Sequence, residues 1–215
     1  MSYMKKIILL ILMLFLLSGC TPISEKNLNM IVEEATKSET KLYNQVRNGY
    51  KFYIPRGIKI VRYDDLNEKL TDNVQDYYLY VDLVSFYNKI HKEYEKNNNA
   101  YYSTAIKNGD KFGYLEINRH KNGKYLIEIM YNYAKIEVMV EEGNLKIALS
   151  RAISILATVN YSDKVLQNMM GDNVLQFKEV EFDIFETRRN GDNYLYYEEK
   201  EVPVETVIPD TDLIN

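Results

Sequence analysis

The chain has 215 residues, 27 basic and 31 acidic side chains, a net charge of −4, 20 tyrosines, no tryptophan, two histidines and one cysteine. An acidic chain is poorly suited to nucleic acid, whose binding rests on neutralising phosphates. A lone cysteine excludes an internal disulfide, and with only two histidines it leaves no ligand set of the usual Cys/His zinc type.

Read from the start, Lys5-Lys6 precedes an unbroken apolar run from Ile7 to Leu17, which ends in Leu17-Ser18-Gly19-Cys20. A basic stretch, a short apolar core and small residues before a cut are the three parts of a secretory signal. At 1.5 Å per residue the run makes a helix of roughly 16 Å, too short for a bilayer core of about 30 Å. Leu17-Ser18-Gly19-Cys20 resembles the lipobox of bacterial lipoproteins. That resemblance implies cleavage before Cys20, acylation of its thiol, and attachment to the outer face of the cell membrane. Residues 1–19 are then a signal peptide and 20–24 a lipidated tether. The mature chain of 196 residues keeps 25 basic and 31 acidic side chains, a net charge of −6. Lipid, and not a basic patch, must therefore hold it.

Residues 25–202 have the length of one domain. Glu25 to Ser38 follows Ser24 and sets Leu28, Ile31, Val32 and Ala35 on one face, the pattern of an amphipathic helix. It would serve as a packing helix or as a stalk. From Tyr50 the texture becomes that of strands. Tyr50–Pro55 and Ile58–Tyr63 flank a Pro55-Arg56-Gly57 bend, and Tyr77–Tyr87 alternates Tyr77, Leu79, Val81 and Leu83 against Asp82. Asn108-Gly109 joins Ala100–Ile106 to Phe112–Asn118, and Asn122-Gly123 leads into a strand from Tyr125 through Tyr133, the tight-hairpin signal in both cases. Ile136, Val138 and Val140 continue the alternation. After Gly143, Asn144 is a candidate cap for the best helix in the chain, with Leu145, Ala148, Leu149, Ala152, Ile155, Leu156 and Val159 in one stripe. This helix should lie across the sheet. A short helix, Ser162–Met170, precedes a hairpin whose strands Glu179–Ile184 and Tyr194–Tyr197 flank Asn190-Gly191. The tail 203–215 carries two prolines and three acids and has the composition of a mobile end.

The expected fold class is therefore α+β: an antiparallel meander of about five or six strands covered by one main helix, with a short N-terminal helix and a C-terminal hairpin. Tyr50-Lys51-Phe52-Tyr53-Ile54-Pro55 at the sheet's start and Ala152-Ile153-Ser154-Ile155-Leu156-Ala157-Thr158 in the late helix resemble the PsbP-like superfamily of α/β/α sandwiches. That resemblance implies a binding or assembly accessory. The hairpin over 179–197 departs from its pattern.

Chemistry-bearing motifs are scarce. His91 falls in a polar stretch, Lys89–Asn99, and His120 sits beside the Asn122-Gly123 turn. No serine lies in a Gly-x-Ser-x-Gly elbow, and no glycine-rich phosphate loop occurs. Asp64-Asp65 with Glu68, Asp172-Asn173 and Asp192-Asn193 lack the spacing of a calcium loop and read as turn residues. No catalytic residue, metal or cofactor is assigned. The tyrosines are the unusual feature. Adjacent strand residues face opposite ways, so tyrosine pairs should place one ring inside and one outside. Tyr78, Tyr80, Tyr102 and Tyr197 are the expected outward rings and the candidate binding face. The function this suggests is a non-enzymatic, membrane-anchored lipoprotein binding an envelope protein partner as an accessory or assembly factor. The alternative is a lipoprotein binding a small ligand or glycan, and an envelope hydrolase is the remote third.

Overall fold

A computed structural model describes residues 22–38, 42–64 and 66–171. Cys20, the C-terminal hairpin and Tyr197 lie outside the described residues, as does the 203–215 tail.

Among the described residues, ten strands and four α-helices follow in chain order. After a 3-10 turn at Ile23–Glu25 come α1 (Leu28–Lys37), β1 (Gln45–Val46), β2 (Tyr50–Phe52), β3 (Lys59–Asp64), β4 (Asn67–Thr71), β5 (Asp76–Val81) and α2 (Leu83–Tyr87). They continue with β6 (Tyr102–Asn108), β7 (Lys111–Arg119), β8 (Tyr125–Tyr131), β9 (Ala134–Val140), α3 (Leu145–Ala157), β10 (Asn160–Tyr161) and α4 (Asp163–Gly171). The fold is α+β, as the sequence suggests. Its seven-stranded antiparallel sheet has the order β3-β4-β5-β9-β8-β7-β6, and a second sheet of three strands has the order β1-β2-β10. Two meanders are thus fused where β5 pairs with β9.

The inner face of the large sheet carries Leu70, Tyr77, Leu79, Leu115, Ile117, Ile127, Ile129, Ile136 and Val138, all buried. Helix α3 lies on β8 and β9 beneath its expected stripe, and α1 packs beside it. The three-stranded sheet closes the same face near β4, where Tyr50 and Arg47 reach Glu68. Helix α1 is therefore a packing helix. Its Ile31 and Val32 are buried, and the Thr36 carbonyl accepts from Asn108 Nδ2 of β6 at 2.7 Å.

Several boundaries differ from expectation for physical reasons. Asn27, not Ser24, starts α1, accepting from the Met30 N–H at 2.9 Å, so the helix begins later than Glu25. The expected strand to Tyr87 ends at Val81, because the Asp82 side chain accepts from the Ser85 N–H at 2.8 Å and caps α2. The strand expected through Tyr133 turns at Asn132-Tyr133, whose φ angles of 52° and 61° are those of a two-residue type I′ hairpin. Asn144 makes no side-chain cap to α3, since a 3-10 turn, Glu142–Asn144, leads into the helix instead. Strand β4 carries one aliphatic residue, Leu70, and so shows no alternation in the sequence.

Gly49 shows how tightly the β1–β2 turn packs against helices α2 and α4. Its φ of 95° is that of a left-handed turn, and a Cβ placed there would come within 2.8 Å of Leu166 Cδ2 and 3.1 Å of Leu83 Cδ1. Only glycine satisfies both conditions.

Candidate partner-binding edge

Of the expected binding tyrosines, the three that are described, Tyr78, Tyr80 and Tyr102, do not form an exposed face. Tyr78 and Tyr80 do project from β5 away from the helices, but they are only 7% and 5% exposed. Strand β5 is interior to the sheet, and its neighbours flank these rings with long side chains. Tyr78 registers with Lys69 and Glu137, and Tyr80 with Asn67 and Lys135. The Lys69 ammonium lies 5.5 Å from the Tyr78 ring centroid. Tyr102 faces inward, where its hydroxyl donates to Asn29 of α1 and burial pushes the phenol up. Its neighbour Tyr101 is the exposed ring, packed edge-on against Tyr125. Tyr101 precedes β6, so strand alternation does not set its direction, and in the Tyr77-Tyr78 pair both rings are buried.

The outer face is an ordered polar surface. Glu116, Glu128 and Glu137 stand directly opposite one another on β7, β8 and β9, and the row continues through Tyr78 to Lys69. Like charges in register repel unless each finds donors. Glu116 accepts from Tyr94 Oη at 2.6 Å and from Asn97 and Asn118 Nδ2 at 2.9 Å each. Tyr114 donates to Glu128, and Lys135 lies 3.3 Å from Glu137. The Tyr94 and Tyr114 rings stack at 4.6 Å. The segment that carries Tyr94 and Asn97 is thereby fastened across β6 and β7.

Two charged clusters mark the margin of the inner face. Arg47 forks onto the fully buried Glu68, Nε to Oε1 at 3.0 Å and Nη2 to Oε2 at 2.9 Å, with Tyr50 Oη donating to Oε1 at 3.3 Å. Burial outweighs these partners and raises the Glu68 carboxyl above its usual value, and burial likewise raises the Tyr50 phenol. At the β4–β5 turn, burial alone would raise Asp72. The N–H groups of Gln75 and Val74, the Tyr77 hydroxyl and the Arg151 guanidinium together lower it instead. Tyr77, buried beside that carboxylate, is pushed up to about 12. Both clusters fasten the layers to each other.

Arg47 also connects to a group of exposed apolar residues. Its guanidinium carbon lies 4.8 Å from the Tyr63 ring centroid. Tyr63 and Val61 are 51% and 58% exposed on β3, which ends the described large sheet on that side. Next to Arg47 in the chain, Val46 of β1 is 64% exposed, and it registers with Lys51, whose ammonium lies 4.1 Å from the Tyr43 ring centroid. Leu42 and Tyr43 extend the band. It therefore joins the outer strands of both sheets through a stacked arginine. An apolar body with an aromatic and an arginine at its centre is the composition that protein contacts favour. Val61 and Tyr63 fall in an expected strand, Ile58–Tyr63, and neither is singled out by the sequence, because a strand's place at the end of a sheet depends on pairing that the local sequence does not record.

The histidines stand apart from each other and from these clusters. His91 is exposed, with its ring 3.9 Å from that of Phe112, and His120 lies at the β7–β8 hairpin, its backbone N–H donating to the Lys124 carbonyl at 2.8 Å. Among the described residues no group of three or more His, Cys, Asp or Glu is placed to hold a metal ion, and no helix is long and apolar enough to cross a membrane. No protein-family model matches the chain, and no curated protein matches it at a significant level.

Proposed function

We propose that the protein is an extracytoplasmic lipoprotein, acylated on Cys20, which works without catalysis by binding a protein partner of the cell envelope. The observation that carries the partner reading is the exposed apolar band of Val46, Val61 and Tyr63 across the outer strands of the two sheets. Exposed apolar side chains around a stacked arginine offer a partner surface for packing. The element order, with its likeness to PsbP-like domains, fits an accessory or assembly role. Membrane attachment rests on Leu17-Ser18-Gly19-Cys20 alone.

Photo-cross-linking in living cells tests the partner reading, with a photoreactive residue placed singly at Val46, Val61 and, as a control, Lys107 of β6. One dominant protein adduct from the two band positions, lost when Tyr63 becomes Ser, is the expected result. Adducts that are equally frequent from Lys107, or none from Val46 and Val61, would overturn it and favour a small ligand or glycan. Cys20→Ala should release the protein from the membrane fraction, and retention would end the lipoprotein reading.

A further inference from the structure

The folded body begins almost at the acylation site, and this fixes which end of the domain meets the bilayer. Ile23 already packs against the core, within the stretch read as tether. The Ser24 carbonyl accepts from Lys146 Nζ, at the start of α3, at 2.7 Å. From Cys20 to Pro22 there are two residue steps, a reach of at most roughly 7 Å. A lipid on Cys20 therefore holds the body close to the headgroups with little freedom to reorient.

The end that carries Ile23 can be traced through the sheet. Helix α3 starts after Val140, and Val140 registers with Tyr125, which registers with Arg119. Tyr77 registers with Val138, so the β4–β5 turn over 72–75 projects from the same end, as does the start of β6 at Tyr102, opposite Ile117. The β7–β8 hairpin there reads Arg119-His120-Lys121-Asn122-Gly123-Lys124, three permanent cations and no acid in a chain that is acidic overall. Arg119 and Lys121 are exposed. Glu25, Glu141, Glu142, Asp72 and Asp76 also lie at this end, where Lys124 pairs with Glu141 at 3.3 Å, Asp76 with Lys69 at 2.7 Å and Asp72 with Arg151, and the hairpin adds the exposed Arg119 and Lys121. Tyr101, also exposed, packs beside the hairpin against Tyr125, and across β9 the β4–β5 turn carries Val74, the most exposed large apolar residue among those described. Exposed cations sharing one end with an exposed valine and tyrosine are the composition of a surface that sits at a membrane interface.

We propose that this end, formed by the 3-10 turn at Ile23–Glu25, the β7–β8 hairpin and the β4–β5 turn, rests on an anionic phospholipid surface. Arg119 and Lys121 lie among the headgroups, and Val74 and Tyr101 at the interface. The proposal rests on acylation of Cys20, and it places the β6–β7 hairpin at Gly109-Asp110 away from the bilayer.

The test uses full-length lipidated protein in vesicles of phosphatidylcholine and phosphatidylglycerol that carry nitroxide-labelled lipid. A fluorophore is attached at Asn122→Cys, Val74→Cys or Asp110→Cys, one at a time, and the mass of the N-terminal peptide reports acylation. Quenching several-fold stronger at Asn122→Cys and Val74→Cys than at Asp110→Cys is the expected result. It should weaken when Lys121→Glu is added and when phosphatidylglycerol is left out. An acylated protein with equal quenching at all three positions, or strongest at Asp110→Cys, would overturn the orientation while leaving the anchor standing. An unmodified Cys20 would overturn both together.

Discussion

The two faces of the seven-stranded sheet reach low exposure by opposite means. On the inner face, Leu115, Ile127, Ile129 and Ile136 meet Leu149 and its neighbours on α3, and charge is confined to Glu68 and Asp72 at the margin, each held by an arginine. On the outer face the middle of the sheet carries Glu116, Lys135, Tyr78 and Tyr80, which are just as little exposed. There the side chains are satisfied laterally, phenol to carboxylate, amide to carboxylate and ammonium over ring. Transfer from water drives burial on the first face. On the second, every polar atom must find a partner before burial is tolerable. A polar period in a strand therefore says which face a residue occupies, not whether water reaches it.

The sharpest way to break this contrast is to leave one inner charge alone. Arg47→Leu should cost about 3–5 kcal/mol at neutral pH, because it strands a buried carboxylate. The folded-state pKa of Glu68 is already raised, so its ionised form opposes folding above the unfolded value. Stability should therefore return as pH falls through the raised value and the carboxyl takes a proton. Urea unfolding across the acid range would show it, and a deficit independent of pH would place the damage in lost packing. Next in size is a matched pair, Leu149→Ala inside and Tyr80→Ser outside, each expected to cost about 3 kcal/mol. If Tyr80→Ser proves harmless, the outer face is ordinary surface and the comparison collapses. The smallest change, Tyr94→Phe, removes one hydroxyl from Glu116 and should cost about 1 kcal/mol. It should also speed amide exchange in residues 90–100, and unchanged exchange would mean that this hydroxyl does not fasten the segment.

What the sequence made legible was what short-range physics decides. Asn108-Gly109 and Asn122-Gly123 turn where expected, since positive φ comes cheaply to glycine, and Gly109 and Gly123 have φ of 58° and 81°. The stripe from Leu145 to Val159 was equally plain, because a helix with one buried side leaves its period in the chain. What escaped depended on partners distant in sequence. Asn132-Tyr133 adopts the hairpin conformation with no glycine at all, and Tyr161 Oη, 29 residues on, donates to the Asn132 carbonyl at 2.7 Å. Tyr101 and Tyr102 could be phased either way until α1 supplied Asn29 to the second ring. The outward direction of Tyr78 and Tyr80 followed from alternation, but their burial followed from β4 and β9 lying on either side.

Strand β3 has one further property with consequences for the proposed tethering. Its pairing with β4 slips between Ile60 and Arg62, leaving Val61 outside the regular ladder. Acylation as proposed would confine many copies to a plane, where collisions between like edges become frequent, and an outer strand with exposed apolar residues would invite them to stack into fibres. A bulge twists the strand and interrupts the run of hydrogen bonds that an identical neighbour would need. The same irregularity that makes the edge a poor template for its own copies leaves Val61 and Tyr63 available to a different shape, so crowding on the membrane need not end in polymerisation.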